Sequence, residues 1–373
     1  MKIIDINGFG LSSPTIDSSY LGYLNNSKFK NIGIVEVITD ENIVGYGETY
    51  AGVYCAELIK PTIEFLKDYL IGKELNNPQK ISSLISSIPY VGRNGFFSSL
   101  SSAINIALYD ILGKKMGIPT YQIFNKKKSS IKVYASNGSS TFNPKEIEED
   151  VKSILDLGFD AYKMRVGYQT WENDLRRVEA ARHILGSDNL LMVDAIMGTL
   201  NPPWSKKEAE KKINSLKDYD LYWIEEPLHP NNLNGLSELN SLFPVAGGES
   251  LSGKHEFDIY FEKKCVSYIQ PDVTHSGGFD VCLDIAKKWN KTAAHVWGSG
   301  IAVLANLHFA LAADIHILEI PMMTLTITDE ILEARIKIED GRIKAPDTPG
   351  IGIKITNEIK EKYKLRKDSN YRI

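Results

Sequence analysis

Seven ionisable side chains stand at the ends of short apolar runs, at nearly even intervals, between Lys163 and Glu319. Leu-Leu-Met-Val leads to Asp194, Leu-Tyr-Trp-Ile to Glu225, and Pro-Val-Ala-Gly-Gly to Glu249. Val-Ser-Tyr-Ile-Gln-Pro leads to Asp272, and Thr-Ala-Ala to His295. The steps from Asp194 are 31, 24, 23 and 23 residues, and the series reaches back 31 to Lys163 and forward 24 to Glu319. Each step is the length of a strand, a helix and two loops. Apolar runs without polar alternation suit parallel strands covered on both faces. Reactive groups at the carboxyl ends of successive strands describe the catalytic face of a (β/α)8 barrel. Any one carboxylate could be a helix cap or a surface charge, but a random pattern has no reason to keep step.

A barrel takes ~250 residues, and a chain of 373 leaves room for a second unit. Residues 1–8, 29–39 and 43–48 read as strands of a meander, the last two joined by a turn at Asp40-Glu41-Asn42. Helices are expected at about 54–70, 77–86 and 98–116, the last with Leu100, Ile104, Leu108 and Ile111 on one face and Gly117 as its stop. Residues 1–125 therefore form a small α+β domain, and 126–325 the barrel, with its first strand at 131–136, its second at 160–166 and its eighth at 315–320. Beyond it, Ala334 to Lys344 reads as a hairpin about Asp340-Gly341. That hairpin is expected to rejoin the meander, so that residues 326–373 return to the small domain. The Lys-rich tail from Ile359 is expected to be a solvated helix with a frayed end.

The fold class is thus α/β, a modified (β/α)8 barrel with an α+β domain drawn from both chain ends. A net charge of −4 gives no reason to expect nucleic acid or an anionic membrane as partner. Cys55, Cys265 and Cys282 have no CxxC spacing and fit a reducing compartment. The segment Met1 to Asn7 lacks the apolar core of a signal peptide, and no apolar run approaches the ~18 residues of a membrane span. A cytoplasmic protein is expected.

Asp194, Glu225 and Glu249 project from three consecutive strands. Gathered without partners they would raise one another's pKa values. A hard divalent cation removes that penalty, and an all-oxygen set favours Mg2+ or Mn2+ over zinc; separate salt bridges to Lys163 and Arg165 are the alternative. Glu226 follows Glu225 and by strand alternation faces the other way, so one of the pair serves as ligand. Asp272 and His295, on neighbouring strands, suit a dyad in which the carboxylate orients the imidazole as base or acid. Lys163 and Arg165 alternate into the barrel, where they could hold a substrate carboxylate; a desolvated Lys163 could serve as a base, whereas Arg165 could not readily. Glu319 could hydrogen-bond substrate oxygens or pair with a cation. Gly298-Ser299-Gly300 offers backbone N–H groups to an anion. The loops at about 11–28 and 49–54, with Tyr23 and Tyr50, either cover substrate or simply connect strands. Asn137, at the end of the first barrel strand, is a further candidate substrate contact.

The chain resembles the enolase superfamily, in its mandelate racemase and muconate lactonizing enzyme branch. The resemblance spans nearly the whole sequence through Gly45-Tyr46-Gly47-Glu48, Ser102 to Asp110, Lys163-Met164-Arg165, Met192-Val193-Asp194-Ala195, Trp223-Ile224-Glu225-Glu226-Pro227, Gly247-Gly248-Glu249, Gln270-Pro271-Asp272, Gly277-Gly278 and Pro349-Gly350-Ile351-Gly352. It implies a capping α+β domain over a modified barrel, Mg2+ on Asp194, Glu225 and Glu249, loops that close the site, and a homo-oligomer. Two departures matter. Arg165 stands where the family usually has a second lysine that acts as base, and Ala195-Ile196 where Ala-Asn is usual. The first argues against two-base racemisation and for one-base chemistry through His295. His295-Val296-Trp297-Gly298-Ser299-Gly300 resembles the segment in acid-sugar dehydratases and lactone cycloisomerases, which makes Trp297 a candidate substrate contact. The resemblance implies a lyase-type enzyme on a hydroxylated sugar acid; an epimerase using Lys163 and a sugar-acid-binding protein with vestigial chemistry are the alternatives.

Overall fold

The computed structural model describes residues 1–15, 28–125, 128–323, 325–334, 336–367 and 369. Tyr23 lies outside the described residues. Strands β1 (Ile3–Pro14), β2 (Phe29–Thr39) and β3 (Val44–Thr49) form an antiparallel meander, with Ile3 opposite Thr39, Pro14 opposite Phe29 and Ile34 opposite Glu48. Helices α1 (Gly52–Cys55), α2 (Ile59–Leu70), α3 (Pro78–Ser86), α4 (Gly95–Met116) and α5 (Thr120–Ile123) follow. Ile6, Val35 and Val37 bury against Ile59, Ile63, Leu66 and Leu70 of α2 and Leu100, Ile104 and Leu108 of α4. The Gly-x-Gly spacing in β3 is what lets α4 approach. A Cβ on Gly47 would lie 1.9 Å from the Ala103 carbonyl oxygen, and one on Gly45 2.1 Å from that of Ala107. By length and composition α4 could cross a membrane, but 78% of that stretch is buried in the fold.

The barrel follows as β4 (Ser130–Asn137), α6 (Pro144–Asp156), β5 (Ala161–Arg165), α7 (Trp171–Leu185), β6 (Leu190–Asp194), α8 (Lys206–Ser215), β7 (Leu221–Glu225), α9 (Leu233–Asn240), β8 (Val245–Gly247), α10 (Lys254–Lys263), β9 (Tyr268–Ile269), α11 (Gly278–Lys288), β10 (Ala293–Ala294), α12 (Gly300–Ala313) and β11 (Ile317–Pro321). Neighbouring strands are parallel, β11 pairs with both β10 and β4, and a parallel bridge from Ile269 to Thr292 joins β9 to the last gap. Strand alternation sorts the side chains. Val133, Tyr162, Met164, Val193, Ile224 and Leu318 turn out against the helices. Tyr134, Ala161, Met192, Trp223, Ala246, Tyr268, Ala293 and Ile317 turn in and fill the barrel as an apolar plug. The next inward residues, one step towards the carboxyl ends, form the polar level above it.

The remaining elements are α13 (Thr328–Ile331), β12 (Ile338–Glu339), β13 (Arg342–Lys344) and α14 (Asn357–Lys362). Asp340 and Gly341 have φ of 50° and 65°, the two positive values of a type I′ turn. The hairpin does not rejoin the meander: β13 pairs antiparallel with the start of β4, Ile343 opposite Ile131. The reason is an open edge, since β4 pairs with β11 only from Val133 and with β5 only from Ala135. The chain after the hairpin does reach the small domain. Asp110 of α4, fully buried, accepts from Tyr46 N at 3.0 Å, Ile351 N at 2.9 Å and Lys114 Nζ at 2.7 Å. The tail helix α14 is solvated as expected, with Ile359 its buried residue, while the described chain after it is anchored by a bridge from Leu11 to Lys364 and by buried Ser369 bonded to Asn31 and Ser12.

Candidate active site

On the polar level, Lys163 of β5 sits in a cage of carboxylates. Its Nζ is 2.5 Å from Glu225 Oε1, 3.0 Å from Glu319 Oε1 and 3.8 Å from Asp194 Oδ2. Burial opposes its charge, but Glu225 and Glu319 outweigh burial and hold its pKa well above the ordinary lysine value. Glu319, at the end of β11, also accepts from Val296 N at 3.0 Å; despite burial, Lys163 and then His295 pull its pKa down to about 2. Glu225 accepts from Gln270 Nε2 at 2.7 Å and Trp223 Nε1 at 3.1 Å.

His295 and Asp272 meet across β9 and β10. His295 Nδ1 lies 3.0 Å from Asp272 Oδ2, and the other oxygen of Asp272 takes Thr274 N and Oγ1 at 2.8 Å and Asn306 Nδ2 at 2.9 Å. Burial would raise Asp272, yet its bond to His295 and the imidazolium charge bring it below the usual carboxylate value. The far nitrogen, Nε2, faces Glu249 Oε2 at 3.5 Å. Burial disfavours the imidazolium, but Glu249, Asp272 and Glu319 prevail and raise His295 to about 10. The Tyr50 ring packs edge-on to His295 at 5.8 Å and beside His275 at 5.7 Å.

Asp194, Glu225 and Glu249 are brought to one end of the barrel. Burial, aided by Glu249 against Lys163, raises Asp194 to about 6; burial, aided by Asp194 against Lys163, does the same to Glu225. Among the described residues no three acidic, histidine or cysteine side chains are arranged as a ready-made metal site, and the Lys163 ammonium pairs with both Asp194 and Glu225. The donor chemistry nonetheless fits a hard divalent cation. All donors are carboxylate oxygens that destabilise one another's charge, and Glu226 Oε1 and Gln270 Oε1 are buried acceptors with no hydrogen-bond donor among the described residues.

Glu226 departs from the expected alternation. Its φ of 40° breaks the strand, and its buried carboxyl joins Glu249 in lining a cavity of about 810 Å3 that Tyr50, Tyr54, His229 and His275 also border. Asn137 is corrected outright: its Nδ2 donates to Asp150 of α6 at 2.6 Å, in the helix layer, and the inward residue at that height is Ser136. The α12 N-terminus is also spoken for. Ser299 N at 3.0 Å, Ser299 Oγ at 2.6 Å and Ala302 N at 3.1 Å all donate to Glu48 of β3, so the glycine turn holds an internal carboxylate. Trp297 lies over the same mouth, its ring approached by Arg165 Cζ at 5.1 Å and Lys30 Nζ at 3.8 Å. Lys30 carried no sequence signal, while Glu48 and Gln270 were visible only within motifs.

The family model "Mandelate racemase / muconate lactonizing enzyme, N-terminal domain" matches residues 25–124, and "Enolase C-terminal domain-like" matches 146–359. The chain belongs to the mandelate racemase/muconate lactonizing enzyme family of the enolase superfamily. Among relatives of this family member is arabinonate dehydratase of Saccharolobus solfataricus, 27% identical over 89% of this chain and 90% of that one. The 3,6-anhydro-D-galactonate cycloisomerase of Zobellia galactanivorans superposes with a TM-score of 0.86 at 29% identity, over 98% of this chain and 100% of that one. A racemase of Streptomyces coelicolor with bound magnesium shares the fold at a TM-score of 0.85 and 24% identity, over 97% of this chain and 100% of that one. The family member described here is an enzyme of the lyase or isomerase kind.

Proposed function

We propose that the protein is a Mg2+-dependent sugar-acid dehydratase that removes the proton α to a carboxylate through His295 and expels the β-hydroxyl. One observation carries this reading: His295 is backed by Asp272 at 3.0 Å, while Lys163, the candidate base on β5, is held as a cation by Glu225 and Glu319. Arg165 beside it cannot readily deprotonate. A single base suits elimination better than inversion.

Asp194, Glu225 and Glu249 would hold the cation. When bound, Mg2+ (or Mn2+) supplies positive charge to the carboxylate oxygens on which negative charge develops. Asp272 keeps the proton on Nδ1 of His295, leaving Nε2 to take the α-proton. The largest pull towards imidazolium is Glu249, so neutralising that carboxylate frees Nε2 to act as base. Lys163 contributes a fixed positive charge beside the developing anion. His295, once protonated, returns its proton to the departing β-oxygen. Glu319 positions Lys163 and the backbone at Val296. Tyr50 and Trp297 wall the reacting carbon from water.

The relative of the cycloisomerase kind supports a second reading, in which the departing β-oxygen belongs to a lactone or anhydro ring. On either reading the partner is a small acid sugar, and the enzyme is taken for a cytoplasmic homo-oligomer that needs neither nucleic acid nor a membrane. The test is a screen of Mg2+-loaded protein against mono- and diacid sugars and their lactones for 2-keto-3-deoxy products. Product from an open-chain acid supports dehydration, and product from a lactone supports cycloisomerisation. Ordinary turnover by His295→Asn, folded and binding Mg2+, overturns the mechanism. Solvent deuterium entering recovered substrate with inversion and no keto product would mean an epimerase.

A further inference from the structure

A second cavity, of about 330 Å3, lies in the seam where α3 and α4 of the small domain meet α10 and α11 of the barrel. It shares no lining residue with the cavity at Glu226 and Glu249. Its volume falls at the small end of the range for ligand sites, ~300–1,000 Å3.

Ser98 of α4 lines this cavity, is 4% exposed, and has no hydrogen-bond partner for its hydroxyl among the described residues. The hydroxyl faces Gly253, the residue that opens α10: a Cβ added there would stand 3.8 Å from Ser98 Oγ. As packing alone, an alanine would fill the place of Ser98 without a stranded hydroxyl. Helix α10 begins at this point with no side-chain cap, and the N–H groups of Lys254 and His255 have no acceptor among the described residues. Those groups carry the positive end of the helix dipole. Gly253 N itself donates to Ser276 O at 3.0 Å, which fixes α10 against the start of α11.

Arg93, on the loop before α4, lines the same cavity and pairs with no carboxylate among the described residues. The acid in the lining, Asp280, is already satisfied, its two oxygens taken by Asn105 Nδ2 and Tyr109 OH at 2.8 Å each. Glu256, in the first turn of α10, accepts from Ser252 N at 2.7 Å and lines the other cavity instead. A guanidinium, an unpaired hydroxyl and open helix N–H groups thus surround one space as donors without an acceptor. That set matches the oxygens of a tetrahedral oxyanion.

We propose that this seam binds a phosphate group, free or as a small monoester, through Arg93, the Ser98 hydroxyl and the N–H groups that open α10. The donors come from both the small domain and the barrel, so the bound anion ties the two together. The site is independent of the reaction assigned to the barrel.

The experiment is calorimetric titration of the Mg2+-loaded protein with inorganic phosphate and, separately, glycerol 3-phosphate, with chloride holding the ionic strength constant. Saturable binding with a Kd below about 1 mM is expected, and Tm should rise as phosphate is added. Tighter binding of glycerol 3-phosphate marks a monoester as the natural ligand, and tighter binding of inorganic phosphate marks the free ion. Arg93→Gln should weaken binding about tenfold or more through loss of the charged fork, and Ser98→Ala about threefold or more. Because the Ser98 hydroxyl has no partner, Ser98→Ala should leave the Tm of the phosphate-free protein equal or higher.

No saturable binding of either probe at millimolar concentration would overturn the site. So would affinities that both variants leave within about twofold of wild type, or a Ser98→Ala protein whose phosphate-free Tm falls. Binding lost in Arg165→Gln but kept in Arg93→Gln would put the anion at the barrel mouth and overturn the site as well.

Discussion

Replacing Asp272 with asparagine should reverse the tautomer of His295 while hardly altering its shape. One oxygen of Asp272 takes three donors, Thr274 N, Thr274 Oγ1 and Asn306 Nδ2, at 2.8 to 2.9 Å. In Asp272→Asn that position must remain the amide oxygen, because an NH2 there would face three donors. The amide nitrogen then faces His295 Nδ1, which in wild type lies 3.0 Å from the other carboxylate oxygen. An N–H pointing at Nδ1 makes Nδ1 the acceptor and puts the imidazole proton on Nε2, the atom proposed to take the α-proton. A base in the wrong tautomer costs about 10^3–10^4-fold in kcat, or about 4–5.5 kcal/mol at ~1.4 kcal/mol per decade. Two assays check this. Nitrogen-15 NMR of the labelled imidazole at high pH should show the proton on Nδ1 in wild type and on Nε2 in the variant. Hydrogen exchange at the substrate α-carbon should fall with kcat, with KM little changed. A variant whose Nε2 remains unprotonated, or that exchanges within tenfold of wild type, would refute the reasoning.

Three further outcomes follow from the geometry. Asp194 and Glu225 titrate in the fold at about 6, above their unfolded values, so the folded state holds protons that the unfolded state has released. Metal-free stability should therefore fall as pH rises from about 4 to 6, and the Tm gain from Mg2+, which must displace those protons, should be larger at pH 7.5 than at pH 5; a gain independent of pH would contradict the proposed ligands. Glu48→Ala strands the buried donors Ser299 N and Ala302 N and should cost about 2–4 kcal/mol in denaturant unfolding, so a loss below about 0.5 kcal/mol would count against its capping role. Asn137→Ala should cost about 1 kcal/mol through the lost bond to Asp150 and leave kcat/KM within about twofold; a large loss of kcat/KM would return Asn137 to the site.

The residues legible in the sequence were those whose position follows from counting along a strand. Lys163, Asp194, Glu225, Asp272, His295 and Glu319 each close an apolar run, and a βα unit repeats at nearly constant length, so their register survived into the barrel. The same counting misplaced Asn137, because parity along β4 depends on which residue starts the inward series, and that is Tyr134. It misplaced Glu226 because alternation stops where a φ of 40° ends the strand. The glycine turn at Gly298-Ser299-Gly300 does bind an anion, but one the chain supplies from Glu48, 251 residues away.

The sequence by itself determined the barrel, the small domain before it and the end of the barrel at which the ionisable groups collect, since all of these follow from periodicities of two, of 3.6 and of one βα unit. Only the tertiary structure decided which charges neutralise which. Lys163 is a caged cation because Glu225 and Glu319 close on it from strands two and six places along the series. The hairpin at Asp340-Gly341 extends β4 because that strand begins before its neighbours do. Lys30 reaches the barrel mouth because the meander folds over it. Contacts between residues far apart in the chain depend on how separate elements pack, and no local pattern encodes that.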